Sequence, residues 1–167
     1  NEIGTSVEFS NLDGELDKEG YMDEIEEYLR KTYSWFLELT KSKNFKIFIN
    51  GKILNYNHLI YDREQNNWTI NGVDFNVRLI IWNCPIEDQS KYYLINSNGD
   101  EIFKDFTGLN RRGDGFYHSI FIESKYFDNF SFMQMNTDQQ TIDNNGSKSD
   151  DTYKKLMERI DLLLRRR

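Results

Sequence analysis

The chain has 167 residues, a formal net charge of −7, and contents of 38% hydrophobic and 15% aromatic residues. This aromatic content excludes disorder of the whole chain, and the acidic balance argues against a broad nucleic-acid interface, which needs a clustered basic face. No apolar run approaches the roughly 18 residues of a membrane-spanning helix, so we expect a soluble protein with one core.

The first part of the chain reads as a short strand followed by a helix. Residues 5–9 are alternating and β-branched, and a turn sequence follows at residues 11–14. Between residues 22 and 39 apolar side chains recur at helical spacing, with acids early and lysines just beyond the end. This pattern predicts an amphipathic helix whose charges suit its dipole.

Three hairpins are predicted in the middle of the chain. Each consists of two apolar segments joined by a turn that contains Asn and Gly. The three pairs of segments are residues 45–49 with 52–54, residues 68–70 with 75–82, and residues 92–95 with 101–103. Antiparallel pairing is therefore expected to dominate the sheet.

The last third predicts one more strand and one more helix. Residues 116–130 alternate aromatic and aliphatic side chains as a strand does, and a polar loop follows them. A helix with one apolar face then begins after Ser149 or Asp150, either of which is a good N-cap. The order of elements predicts an α+β fold, a mostly antiparallel sheet packed with two principal helices.

The titratable residues form no recognisable catalytic or metal-binding pattern. His58 and His118 lie far apart in the chain, and Cys84 is near neither at a ligand spacing. We expect structural or solvent roles for both histidines and a structural thiol at Cys84. A single cysteine also indicates a reducing, cytoplasmic location. A stand-alone enzyme is not expected.

A glycine-rich segment at residues 107–115 leaves two interpretations open. Gly108, Gly113 and Gly115 are interleaved with Arg111 and Arg112. Free backbone N–H groups and guanidinium donors are what a phosphate cradle needs. No helix start follows, so a plain polar loop between two strands is the favoured interpretation.

Three sequence features of the N-terminal third carry a resemblance when they are taken in order. Residues 4–9 read Gly-Thr-Ser-Val-Glu-Phe, residues 33–37 read Tyr-Ser-Trp-Phe-Leu, and residues 46–52 read Lys-Ile-Phe-Ile-Asn-Gly-Lys. This ordered set resembles a passage in the GHKL ATPases, the superfamily of gyrase B, the ninety-kilodalton heat-shock chaperones, histidine kinases, MutL and MORC proteins. In those proteins the passage closes the ATP-binding domain and opens a second domain, the transducer.

The resemblance implies a division of the chain into three parts. Residues 1–12 are the terminal strand of a preceding ATP-binding domain or the first strand of this one, and residues 13–44 form the connecting helix. Residues 45–167 are a transducer-like sheet and C-terminal helix, of the ribosomal-protein-like β-α-β superfamily. The family's magnesium-binding Asn, adenine-reading Asp and glycine-rich lid are missing. The chain is thus expected to be an excised portion without a cofactor, whereas ATP and Mg belong to the parent protein.

The resemblance also implies which residues face the nucleotide. Gly4 and Thr5 match nucleotide-binding positions beside the adenine. In transducers, a Lys or Arg from the loop between the last strand and the last helix reaches the γ-phosphate. The matching loop here, roughly residues 133–148, carries no cation in its early part. The candidate phosphate-sensing residues are Gln134, Gln139, Gln140, Arg111, Arg112 and Lys125.

Two functions remain as hypotheses. The first is a non-catalytic fragment that couples ATP binding in a preceding domain to conformational change, with that domain, a second copy of the parent and an unknown protein as partners. The alternative is a stand-alone protein-interaction module that docks through the aromatic strand at residues 116–130 or through the last helix. Neither hypothesis calls for nucleic acid or a membrane.

Overall fold

The computed structural model describes residues 21–109, 115–130 and 146–167. Within these residues, two α-helices, α1 (Tyr21–Leu39) and α2 (Asp151–Arg165), accompany seven strands. The strands are β1 (Phe48–Ile49), β2 (Lys52–Ile53), β3 (Ile60–Ile70), β4 (Val73–Trp82), β5 (Lys91–Ile95), β6 (Glu101–Phe106) and β7 (Tyr117–Glu123). The α+β class is confirmed. The strand predicted at residues 5–9 lies outside the described residues.

Five of the strands form one sheet in the order β3-β4-β7-β5-β6. Every neighbouring pair is antiparallel except β5 and β7, which run parallel with Tyr93 opposite Phe121. The strands β1 and β2 form a separate two-stranded sheet. All three predicted hairpins are present.

The two helices cover opposite faces of the five-stranded sheet. The alternation along β4 decides which side chains meet which helix, since successive residues of a strand point to opposite faces. One core cluster joins Leu79 and Ile81 to Leu156 and Ile160 of α2. The second cluster joins Ile80 to the α1 side. The fold therefore has three layers, which are α1, the five-stranded sheet and α2.

The C-terminal half of α1 is the part that packs on the sheet. The Trp35 ring stacks on Tyr93 with 5.7 Å between centroids, and Tyr93 stacks in turn on Phe121 at 4.9 Å. Leu39 at the end of the helix is buried in the same cluster. Residues 21–24 at the start of α1 are exposed.

Asp150 is the N-cap of α2. Its carboxylate accepts a hydrogen bond from the backbone N–H of Thr152 at 3.0 Å, and Tyr126 donates its hydroxyl proton to the other carboxylate oxygen at 2.6 Å. A side-chain acceptor at this position satisfies one of the free N–H groups at the start of a helix. Of the two predicted caps, Asp150 is the one the chain uses. No described helix has both the length and the apolar character to cross a membrane.

The strand predicted at residues 116–130 is too long. β7 ends at Glu123, and a 3₁₀ helix follows at Lys125–Phe127. The Ser124 hydroxyl accepts from the Tyr126 N–H at 3.2 Å and donates to the Asp74 carbonyl at 2.6 Å, so it diverts the chain at the end of the strand.

The two docking surfaces considered for an interaction module are largely buried. β7 lies between β4 and β5, and residues 118–122 are all buried. The apolar stripe of α2 faces the sheet, with Leu156, Ile160 and Leu164 at most 1% exposed. The apolar side chains of these two elements therefore lie mainly in the core.

Candidate functional site

Most of the predicted site residues fall outside the part of the chain that the structure describes. This is true of Gly4, Thr5, Arg111, Arg112, Gln134, Gln139 and Gln140. Lys125 is the predicted site residue that is described. Within the described ranges, no group of three or more His, Cys, Asp or Glu side chains is arranged to hold a metal ion.

Lys125 opens the 3₁₀ turn after β7 and lines a surface cleft of about 550 Å³. The cleft lies where the β3–β4 hairpin, the end of β7 and the turn after β5 meet. Its other polar lining residues are Asn67, Thr69, Asp74, Asn76, Ser97, Glu123 and Ser124. We refer to this site as the Lys125 cleft.

Hydrogen bonds fix the turn that carries Lys125. The Asp128 carboxylate accepts from the backbone N–H and from the hydroxyl of Ser97, both at 2.8 Å. Both bonds lower the pKa of Asp128, and the bond from the backbone N–H makes the larger contribution. The turn is therefore tied to the loop after β5 as well as to β4.

The charge at the Lys125 cleft comes from one ammonium group and two carboxylates. Lys125 forms no ion pair with any other described residue, and the Asp74 carboxylate is engaged by the Thr69 hydroxyl at 2.6 Å. The second carboxylate is Glu123. The remaining polar lining groups are amides and hydroxyls, and the rings of Trp68 and Phe75 complete the lining. Lys125 is the lining group that would attract an anion.

A second polar site was missed by sequence reasoning, and it lies at the end of α1. The side chain of Glu38 is 0% exposed. Its Oε1 accepts from the Arg63 guanidinium at 2.9 Å and from the Tyr56 hydroxyl at 3.1 Å. Arg78 approaches Oε2 at 3.5 Å. These four residues, Glu38, Tyr56, Arg63 and Arg78, are called the Glu38 cluster below.

Arg78 belongs to β4 and is the least solvated cation of the Glu38 cluster. Its Nη2 donates to the backbone carbonyl of Glu38 at 3.0 Å, and its guanidinium carbon lies 5.1 Å from the Phe121 ring centre. Burial lowers the pKa of Arg78, although Glu38 acts in the opposite direction. Burial, together with the neighbouring Glu38 carboxylate, raises the pKa of the Tyr56 hydroxyl. The cluster therefore joins the end of α1 electrostatically to β3 and β4.

A second carboxylate, Asp88, ties β6 to the α1 side of the sheet. It forms ion pairs with Lys91 and, at 2.8 Å, with Lys104. The Lys104 ammonium also lies 4.6 Å from the Trp35 ring centre. Burial acts to raise the pKa of Asp88, but the hydrogen bonds from the two lysines outweigh it and leave the pKa below its ordinary value.

The pKa of Asp88 predicts a pH-dependent contribution to stability. A carboxyl whose pKa is lower in the folded state stabilises the protein above its unfolded pKa, and this contribution disappears as the pH falls through the folded pKa. Asp88→Asn should cost about 2 kcal/mol at pH 7, the worth of hydrogen bonds to a charged group. The difference in unfolding free energy between wild type and variant should shrink as the pH falls below 3.8, the ordinary pKa of this carboxyl. Urea unfolding at pH 7 and at a pH below 3.8 measures this difference in stability. A difference that stayed constant between the two would contradict the lowered pKa of Asp88.

The histidines and the cysteine have structural or surface positions. His118 is 0% exposed, with its Nε2 2.8 Å from the Thr107 hydroxyl. His58 is exposed and lies 3.1 Å from a Glu27 carboxylate oxygen. Cys84 is half-buried, and burial raises the pKa of its thiol, which disfavours the reactive thiolate. None of the three faces the Lys125 cleft.

A scan of protein-family models and searches of curated proteins and of solved structures find no match for this chain.

Proposed function

We propose that this chain is a transducer-type domain of a GHKL-like ATPase, which passes nucleotide-dependent movement from a preceding ATP-binding domain to downstream partners. Two observations support the proposal. The Gly-Thr segment, the helix and the Asn-Gly-Lys hairpin follow one another in the order that resembles the family. The described residues form an α+β fold with a five-stranded sheet and a helix on each face.

The Glu38 cluster is the observation that carries the proposal. A connecting helix transmits movement only when it is fixed to the domain that must respond. Glu38 is buried against Arg63 of β3 and Arg78 of β4, while Trp35 stacks on Tyr93 of β5. Since these contacts reach three of the five strands, a displacement of α1 would move the sheet with it.

The start of α1 is available to a preceding domain. Tyr21, Met22 and Tyr28 are 39%, 43% and 65% exposed. Asp23 and Glu24 accompany them in the first turn. In the proposed protein this end of the helix contacts the ATP-binding domain.

Lys125 is the described candidate for sensing the γ-phosphate. It lies just after the last described strand, on the way to the last helix, which resembles the position from which transducers send a cation to the nucleotide. The hydrogen-bonded turn holds the lysine at the edge of the Lys125 cleft, and the described residues leave its ammonium without an ion pair. A cation placed there would stabilise the charge that develops on the transferred phosphoryl group.

A substitution of Lys125 tests this role. In the full-length protein, Lys125→Gln should lower the rate of ATP hydrolysis by about tenfold, because a charge-assisted hydrogen bond becomes a neutral one. The affinity for ADP should stay unchanged, since ADP has no γ-phosphate. Steady-state hydrolysis and isothermal titration calorimetry give the two values.

The matched control is Lys154→Gln, which removes a charge from an exposed lysine of α2. Equal hydrolysis rates for the two variants would remove Lys125 from the proposed site. A protein that binds no nucleotide at all would overturn the proposed function itself.

A further inference from the structure

Among the described residues, the β1–β2 hairpin and the segment that leads into it carry large apolar side chains that are more than half exposed. Phe45, Phe48 and Ile53 are 56%, 59% and 56% exposed. Phe48 and Ile53 are cross-strand partners, so they stand side by side on one face of the hairpin. Large apolar side chains that adjoin one another at the surface are typical of interaction sites.

A small groove lies between this hairpin and the end of α1. Its volume is about 140 Å³, and Leu37 and Leu54, which are 7% and 5% exposed, contribute to its lining. Phe45 and Ile53 line it too. An enclosed apolar cavity of roughly 150 Å³ accepts a benzene-sized group. This groove is open and has polar as well as apolar lining residues, and its volume suits one side chain of a partner.

The charge around the groove is opposite to that of the whole chain. Residues 39–61 contain four lysines and no acid, in a protein of net charge −7. Lys41 and Lys43 pair with Glu38 and Asp100, at 3.7 Å and 2.5 Å. Lys46 and Lys52 are exposed, and neither forms an ion pair with another described residue. The site therefore favours a partner that carries negative charge.

The hairpin also offers backbone groups to a partner. Among the described residues β1 and β2 pair with each other alone, so the outer edge of each strand keeps unpaired N–H and C=O groups. An extended peptide can add to such an edge, with its backbone supplying affinity and its side chains supplying selectivity.

We propose that the hairpin and the end of α1 form a docking site for an extended acidic segment of a partner protein. The segment would place one apolar side chain in the groove between Leu37 and Leu54 and set carboxylates against Lys46 and Lys52. The recessed groove favours a peptide over a flat lipid surface, and the net charge of the chain opposes approach to an anionic membrane. This inference does not depend on the proposed transducer function.

The test uses a fluorescein-labelled peptide, Gly-Ser-Asp-Glu-Phe-Glu-Asp-Ser-Gly, and fluorescence anisotropy. Binding should weaken by about tenfold or more when the peptide's Phe is replaced by Ser, the worth of one buried aromatic side chain. It should weaken by at least as much when the protein carries Lys46→Glu with Lys52→Glu, because each new carboxylate repels the peptide.

The control protein carries Lys154→Glu with Arg165→Glu, which changes the net charge equally on exposed positions of α2. It should bind as wild type does. Equal weakening of both double variants, or binding that ignores the peptide's Phe, would overturn the proposal.

Two further outcomes would assign the surface to another occupant and overturn the proposal. The first is sedimentation with vesicles that contain anionic phospholipid, abolished in the Lys46→Glu, Lys52→Glu variant, without peptide binding. The second is a dimer in analytical ultracentrifugation that this variant dissociates. Circular dichroism of each variant shows that it is folded.

Discussion

Glu38→Gln should lower the free energy of unfolding by about 3–5 kcal/mol, the cost of breaking a buried ion pair by removing one partner. The amide keeps the shape of the side chain but removes the carboxylate that Arg78 approaches at 3.5 Å, and the Arg78 side chain is 19% exposed. Arg63, at 41%, can turn to water instead. Urea unfolding followed by tryptophan fluorescence measures the loss as a fall in midpoint.

Glu24→Gln is the matched control for this prediction. Glu24 is exposed in the first turn of the same helix, so its replacement should change stability by less than about 0.5 kcal/mol. Adding Arg78→Met to Glu38→Gln removes the cation that was left unpaired and should restore part of the lost stability. If Glu38→Gln were as mild as Glu24→Gln, the Glu38 cluster would not hold α1 to the sheet.

Leu156→Ala should cost about 2–5 kcal/mol, as large-to-small substitutions in a core do. Leu156 is 0% exposed and belongs to the cluster that joins α2 to the sheet. The truncation removes transfer free energy and leaves a cavity that a sheet on one side and a helix on the other cannot easily collapse. Thermal and urea unfolding should both shift.

The control for Leu156 lies on the outer face of the same helix. Leu162 is 56% exposed, so Leu162→Ala should change stability by less than about 0.5 kcal/mol. Similar losses for the two variants would contradict the placement of α2, because they would mean that both faces of the helix are equally buried.

Local signals in the sequence predict much of the fold. The Asn-Gly turns at residues 50–51 and 71–72 place both residues at positive φ, with Asn50 at 49° and Gly51 at 76°. This is the conformation that a type I′ hairpin needs, so the pairing of the adjoining strands follows from the turn. The two helices follow from apolar spacing and from the Asp150 cap in the same way.

Other parts of the fold depend on contacts that no local pattern contains. The first half of β3 alternates between exposed and half-buried side chains, so it shows no apolar periodicity and was not predicted as strand. The parallel pairing of β5 with β7 brings together segments that are separated by β6 and a loop. Such a register is decided by the packing of both faces of the sheet and not by either strand alone.

The candidate sites also differ in how far the sequence predicts them. Lys125 was predicted through a family resemblance, whereas Glu38 was not predicted. A glutamate near the end of an acidic helix reads as a solvated charge, although its neighbours Leu37 and Leu39 are both apolar. Its burial follows from Arg63 and Arg78, which arrive from β3 and β4 and which the helix sequence does not reveal.

Hydrogen–deuterium exchange of the full-length protein, with and without a non-hydrolysable ATP analogue, tests the relay most directly. The proposed function predicts that the analogue changes the exchange of amides in α1 and in the Lys125–Phe127 turn. In the Glu38→Gln variant, the analogue should still change the exchange of amides in α1 but should leave the exchange of amides in β3 and β4 unchanged. An analogue that binds while leaving exchange throughout residues 21–167 unaltered would contradict the relay.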